Sequence, residues 1–301
     1  MQWTPGPARL SALPLALVVL LAVAADAAGQ SSGPEPNEPN EPSAEDAAKD
    51  PATARDDPTA AREKDGWSFT LGVAGALAPS YEGSEDLQLS DYPAPLVDLR
   101  WRSSNPWGTT LFAGTRDGVG VAVADTETFS FGISGFYGGG RDEDDDNRLE
   151  GLGDIDDSPS GRLFGELKFD GFALNTEVEH FFGGSNGTLV TFGAKTGLPL
   201  SRQLALGASL KTTFADGTYM GEFFSVTQGQ ARRSQDDLDR FDADAGFKNV
   251  ALELSARYAI PQGWVFSARA GVSLLVGDAA DSPVVEQAVQ PSVGLAVLYR
   301  F

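Results

Sequence analysis

The chain of 301 residues has no cysteine and a single histidine, His180. Without cysteine it can form no disulfide, no thiolate metal site and no lipoprotein anchor, and an exported chain of this composition suits a bacterial envelope. Base is scarce too: 22 Lys and Arg stand against 43 Asp and Glu, a net charge of −21. That excess argues against nucleic acid and anionic lipid surfaces as partners. Beyond the N-terminal 25 residues there is no long apolar run, whereas a membrane-spanning helix needs about 20 such residues. If the mature chain crosses a membrane, it must therefore do so as a closed β-barrel, the other structure that satisfies its own backbone in lipid.

The one apolar run, Leu10 to Ala25, follows Arg9 and leads into Ala25-Asp26-Ala27. A basic start, a short apolar centre and an A-x-A site make residues 1–27 an expected signal peptide, cleaved on export. Residues 28–65 hold six prolines, no aromatic residue and ten acids against four bases. So little apolar surface cannot offset the entropy of ordering, and a disordered acidic linker is expected there. The remaining segment, 66–301, reads as one barrel domain.

From Gly66 the composition changes to strict alternation. In "GWSFTLGVAGALA" Trp67, Phe69, Leu71, Val73 and Leu77 share one parity, against Ser68, Thr70, Gly72, Ala74 and Ala76. A period of two with one greasy and one small or polar face is a β-strand between two different media. The pattern recurs over 92–102, 109–115, 118–125, 129–137, 161–169, 172–180, 190–195, 204–214, 250–258, 264–274 and 292–301. With the opening run this predicts an all-β fold, a transmembrane up-and-down antiparallel barrel of about 12 strands. Connections sort by side: short ones on the side of the termini, and long ones at 79–91, 140–160, 215–247 and 277–291 on the other. Short periplasmic turns with long external loops are the habit of outer-membrane barrels.

The aromatic residues give a separate signal. Trp67, Trp101, Trp107 and Trp264 all fall at the short-turn end, with Tyr258, Tyr299 and Phe301. Indole prefers the membrane–water interface, so these predict a periplasmic aromatic girdle, with Tyr137, Phe181, Phe182 and Phe214 forming the other. The chain ends on "SVGLAVLYRF", an alternating strand closed by a bare aromatic. Val297, Tyr299 and Phe301 in this arrangement resemble the signal by which outer-membrane barrels are recognised for assembly.

The parity facing away from lipid carries Asp98, Arg100, Arg162, Glu166, Lys168, Glu177, Glu179, Lys195, Lys211, Glu253, Arg257 and Arg269. Mixed signs in a narrow barrel predict ion-pair ladders or a small polar pore; Glu166 or Lys168 against Glu177 and Asn175 are the expected pairs. Candidate chemistry is thin. Asp142, Asp144 and Asp146 have the opening spacing of a calcium loop, but Asn147 stands where glycine belongs and Gly153 where glutamate belongs. The expected state of that stretch is a solvated acidic loop, loose divalent ions bridging it to lipopolysaccharide phosphates being the sharper alternative. Glu177 and Glu179 lie two apart on one strand with no nucleophile opposite, and His180 falls on the lipid-facing parity. No enzyme, cofactor or metal centre is expected.

Several stretches together resemble the MipA/OmpV family of MltA-interacting proteins: "APSYEGSEDLQ" at 78–88, "PAPLVDLRWR" at 93–102, "RDGVGV" at 116–121, "DADAGFKNV" at 242–250, "LLVGDAADSPVV" at 274–285 and the closing "YRF". The resemblance implies an outer-membrane barrel acting as a non-enzymatic scaffold that links a murein hydrolase to a penicillin-binding protein in peptidoglycan turnover. Its lipid partners would be outer-membrane lipid and lipopolysaccharide. It supplies no catalytic residues and does not extend to 28–65. The competing expectation, from the inward charges, is a small-solute channel or stress-responsive porin.

Overall fold

The computed structural model describes residues 66–89 and 94–301, so the expected signal peptide and linker lie outside the described residues. The strands are β1 (Gly66–Pro79), β2 (Leu87–Leu89), β3 (Ala94–Arg102), β4 (Thr110–Gly114), β5 (Gly118–Asp125), β6 (Phe129–Gly138), β7 (Ser158–Phe169), β8 (Phe172–Phe181), β9 (Gly187–Pro199), β10 (Leu204–Ala215), β11 (Gly246–Ala259), β12 (Trp264–Leu275) and β13 (Val289–Arg300). Each wall strand pairs antiparallel with its neighbour in sequence, and β13 returns to β1 from Thr70↔Arg300 to Leu77↔Val293. Phe301 adds one more bond, its N–H donating to the Phe69 carbonyl at 3.0 Å. The barrel is closed.

Twelve strands make the wall. The thirteenth, β2, pairs only with Leu77–Pro79, on the flank of β1 that β3 occupies further down. Sequence alternation places the strands correctly but trims them: β7 begins at Ser158, β9 runs from Gly187 to Pro199, β11 begins at Gly246 and β13 at Val289. The added residues break the apolar alternation because they lie at strand ends, those of β7, β11, β13 and the start of β9 on the long-loop side and the end of β9 on the short-turn side.

Burial is inverted relative to a soluble protein. Val119 is 69% exposed and Leu163 59%, whereas Glu179, on the opposite parity, is 9% exposed. Lipid, not protein, is the solvent for the outward face. Strands of about 12 residues rising about 3.3 Å each and tilted near 40° span roughly 30 Å, the thickness of a hydrocarbon core.

A β-bulge interrupts the β10–β11 ladder, where Thr213 pairs with Asn249 and Phe214 with Phe247, so that Lys248 is skipped. The bulge reverses parity: Phe247 points out, 54% exposed, and Lys248 points in, 7% exposed.

Because the chain has no cysteine, single substitutions report topology cleanly. Asp144→Cys and Asp239→Cys should react with a membrane-impermeant maleimide on intact cells, and Asp170→Cys and Gln262→Cys only after permeabilisation. Labelling of the second pair on intact cells would invert the assignment.

Candidate functional site

The long loops are not solvated coil. They fold over the outer mouth and pack on one another, which corrects the expectation of a free acidic loop at 141–157. The segment between β10 and β11 forms α1 (Gly217–Phe224) and α2 (Gln228–Arg233), and the one between β12 and β13 forms α3 (Asp278–Asp281). Asp216 caps α1, its carboxylate accepting from the Tyr219 N–H at 2.9 Å. Burial pushes that carboxyl up, but hydrogen bonds from backbone N–H groups outweigh it and hold the group below the usual range.

One face of α1 carries Tyr219, Met220, Phe223 and Phe224, all buried, and meets Phe181 of β8 and Leu275 of β12 from inside the wall. A second cluster joins Tyr81 of the 80–86 strap to Leu149, Leu152, Val226, Leu238 and Val284. Each such side chain contributes about 1.5–3 kcal/mol on burial, so the cap is a folded unit. Close approach to the wall needs a residue without Cβ at Gly187 (φ +120°), where a Cβ would lie 2.5 Å from the Tyr219 nitrogen. Phe181 is thereby corrected from the outer girdle to the cap core. It shares the inward parity of Glu177 and Glu179, and its ring lies 6.1 Å from that of Tyr219.

Polar contacts lock loop to loop. Tyr81 donates to the Val284 carbonyl at 2.8 Å, Ser282 to the Phe224 carbonyl at 2.6 Å, and Arg148 to the Pro283 carbonyl at 2.6 Å and to Asp236 at 3.1 Å. Lys248 reaches from the wall to both Glu82 oxygens, at 2.7 and 2.8 Å, and lies over the Tyr219 ring at 5.3 Å. One buried cation thus joins wall, strap and helix. Burial pushes the Tyr219 hydroxyl up to about 12 and raises that of Tyr81 further, with Glu286 adding to the effect. Both hydroxyls stay protonated at any physiological pH.

Below the cap the inward charges form a ladder along β3–β9. Arg100 bridges Asp98 at 3.0 Å and Asp117 at 2.7 Å. Arg162 holds Glu177 at 3.0 Å and Glu179 at 3.2 Å, and Ser160 donates to Glu179 at 2.7 Å. Lys195 reaches Glu166 across β8. Lys168 pairs with Asp125, which also takes Arg102, both at 2.7 Å. The expected pairing of Lys168 with Glu177 is corrected: the register sets Lys168 opposite Ala173, leaving Asp125 within reach. Lys211 acts electrostatically on Glu177. Glu253 stands opposite Gly271, Arg257 opposite Ser267 and Arg269 opposite Ser255, so these three are spread over β11 and β12 away from the ladder. Phe112 and Phe164 fill gaps in it by lying over Gly120 and Gly132, where a Cβ would come within 2.5 Å of either ring.

At the short-turn end Trp67 and Trp101 are paired across β1 and β3, and Trp107 stands 58% exposed in the β3–β4 turn. Trp264 contacts Tyr299 at 5.0 Å, Tyr299 contacts Phe301 at 4.8 Å, and Phe301 stacks on Phe69 at 5.4 Å. Val297 pairs with both Val73 and Phe266 in the seam. His180 is exposed, 3.0 Å from the Thr188 hydroxyl and edge-on to Phe182. Asp146 turns away from Asp142 and Asp144 to accept from Ser80 and Ser84, at 2.8 and 3.0 Å. Among the described residues no acidic or histidine group of three converges on a metal position.

Alternation missed Glu82, Asp117, Asp125, Arg141 and Lys248. Parity sends Asp125 to lipid with Val119, Val121 and Val123, and a register shift between Ala122 and Ala124 turns it inward opposite Ser130; the β10–β11 bulge likewise hides Lys248, and nothing periodic marks the loops.

The family model "MltA-interacting protein MipA" matches residues 71–301. No curated protein matches the chain. Among solved structures it is similar to the KdgM porin (9% identity, TM-score 0.38, 77% of this chain and 99% of that one). It is also similar to the CymD monoaromatic hydrocarbon channel (13%, 0.38, 79% and 88%) and to OmpT of Vibrio cholerae (8%, 0.31, 79% and 99%).

The latch at Lys248 has a measurable asymmetry, since the Lys248 side chain is 8% exposed and that of Glu82 31%. Glu82→Gln strands the deeper charge and should loosen α1 by about 3–5 kcal/mol. Lys248→Met should cost less, because Glu82 can turn to water. Hydrogen exchange of the α1 amides reads this directly, with the heat-modifiable mobility of the barrel as control. Equal protection in wild type and both variants would show that the pair does not hold the cap.

Proposed function

The chain belongs to the MltA-interacting protein MipA family, and from that premise we propose that it is a non-enzymatic scaffold of the outer membrane, gathering a murein hydrolase and a penicillin-binding protein at the periplasmic face. The observation that carries this reading is the closed mouth. Four connections with a shared hydrophobic core stand over the lumen, and paired charges line the wall below. A barrel filled in this way serves as an anchor. A porin selective for one sign of ion needs an open path and a net lumen charge.

The periplasmic turns are short, 170–171 being two residues. Residues 28–65 lead into β1 at that same end, and the reading assigns them the contact with murein enzymes. Outer-membrane lipid surrounds the wall, and lipopolysaccharide abuts the acidic loops. One observation favours the alternative of a small-solute channel: the inward faces of β12, β13 and β1 carry small residues such as Ser267, Gly271, Ser292, Gly294 and Ser68 opposite the ladder.

The seam suggests an assembly role for Val297, Tyr299 and Phe301, and an interfacial role for Trp67, Trp101, Trp107 and Trp264. Deleting Phe301 removes its bond to Phe69 and its two ring contacts, and should leave unfolded, degraded chain in the periplasm. Tyr299→Asp adds only about 0–1 kcal/mol of charge cost near an interface, so a strong insertion defect there would have to come from lost recognition. Normal insertion of both variants, read by heat-modifiable mobility, would remove the assembly role.

The purified protein in planar bilayers should give little steady conductance. Envelope pull-downs should recover murein-processing enzymes, and deletion of 28–65 should lose them while the barrel still inserts. Stable, salt-dependent channels with no such partner would transfer the function to the channel.

A further inference from the structure

Among the described residues three cations hold the cap, two of them buried and Arg148 half-buried, and two have carboxylates: Lys248 has Glu82 and Arg148 has Asp236. The third is Arg141, 9% exposed at the root of the β6–β7 loop. Its backbone is fixed by a two-way bridge to Ile155, 2.8 Å in each direction. Its Nη1 donates to the Phe223 carbonyl in the last turn of α1 at 2.9 Å, and its guanidinium carbon lies 6.0 Å from the Phe223 ring centre. Its Nε is buried with no acceptor, and among the described residues no carboxylate pairs with it.

A guanidinium held in this way is anchored on one corner only. The carbonyl at a helix C-terminus carries partial negative charge and the ring face attracts a cation, but neither replaces an anion. What is left is the Nε–Nη2 edge, two parallel N–H groups whose spacing matches a carboxylate or a phosphate. Around it stand the hydroxyls of Tyr81 and Tyr219 and, with no ion pair to the arginine, the carboxylate of Asp145, all close enough to act on it electrostatically, while burial itself disfavours its charge. Tyr81 also lines a cavity of about 320 Å³ with Pro79, Glu82, Ser273, Gln290 and Ser292, a separate space that Arg141 does not line.

We propose that the Nε–Nη2 edge of Arg141 is a binding site for a small oxyanion, a carboxylate or phosphate group, that stiffens the cap from within. The anion approaches from the lumen, because the acidic loops outside repel it. The site is independent of the docking role, since it lies at the opposite end of the barrel from the periplasmic turns.

The test uses the full chain in neutral detergent micelles, titrated calorimetrically with acetate, with inorganic phosphate and with purified lipopolysaccharide. Saturable binding of acetate or phosphate, at least about tenfold weaker in Arg141→Gln, is the expected result, with slower exchange of the α1 amides on anion addition in wild type alone. Arg141→Lys keeps the charge but not the fork and should bind more weakly than wild type; it also serves if Arg141→Gln fails to fold. Binding of lipopolysaccharide alone, lost on the same substitutions, would keep the site and identify its anion as a lipid phosphate. Absence of saturable binding by wild type, or binding unchanged in both variants, would overturn the proposal. So would a variant whose α1 loosens while no anion alters exchange in wild type, because that is the behaviour of a purely structural arginine.

Discussion

Backbone closure between β1 and β13 is the constraint on which the rest depends. In hydrocarbon an unpaired N–H or C=O has no water to turn to, so the sheet can have no edge at membrane depth. Eight register pairs from Thr70↔Arg300 to Leu77↔Val293, and the Phe301 N–H beyond them, meet that demand. Once the sheet is closed, every side chain has two choices, lipid or lumen. The outward face becomes continuously apolar and the inward face inherits the polar residues. The familiar hydrophobic core then has no place in the wall. It appears at the mouth, where the loops rise clear of lipid and can bury apolar surface against each other.

The lumen ladder follows from the same division, and its magnitude limits what it can do. Its members keep contact with water: the Lys195 side chain is 53% exposed, Asp117 46% and Glu177 34%. Pairs so hydrated contribute about 0–1 kcal/mol each. Their effect is spatial. They bring long side chains together across the β3–β9 half of the barrel and fix which of them meet. Cap and ladder are therefore different kinds of closure, one made by apolar burial and one by occupancy.

Legibility in the sequence tracks periodicity. A strand in lipid must alternate, so the strands, their parity, the side of each loop and residues such as Arg162, Glu179 and Lys195 could be read from spacing. The family resemblance at 78–88, 242–250 and 274–285 falls largely on the loops, where spacing says nothing. Two departures have local causes. The bulge skips Lys248, so counting back from Val250 sends its charge to lipid. Phe181 by chemical type suits an interface, although its own parity with Glu179 sends it inward. The cap was illegible because its members come from four separated segments. "GTYMGEFF" has four apolar residues on one face, but only the arrival of Phe181, Leu275 and Ile155 gives that face a partner.

The acidic composition also changes meaning once its placement is known. Read along the chain, 141–157 is a run of like charge that ought to stay extended and wet. In the structure its apolar members, Leu149, Leu152 and Ile155, are buried at 6% exposure or less. Its charges divide: Asp146 turns in to cap the strap hydroxyls, while Asp142, Asp144 and Asp145 act on one another and on the water outside. Self-repulsion on the rim pushes the loops apart, and apolar burial with the cations Arg141, Arg148 and Lys248 draws them together. Those cations lie on the inner side of the balance, where low polarity makes each worth most. A loop set with the same acids and without these three bases would have repulsion on the outside, opposed by the apolar clusters and by neutral hydrogen bonds such as those of Tyr81 and Ser282. Three of the chain's bases thus sit where one charge reaches more than one loop, while Arg100, Arg102, Arg162, Lys168 and Lys195 serve the ladder below.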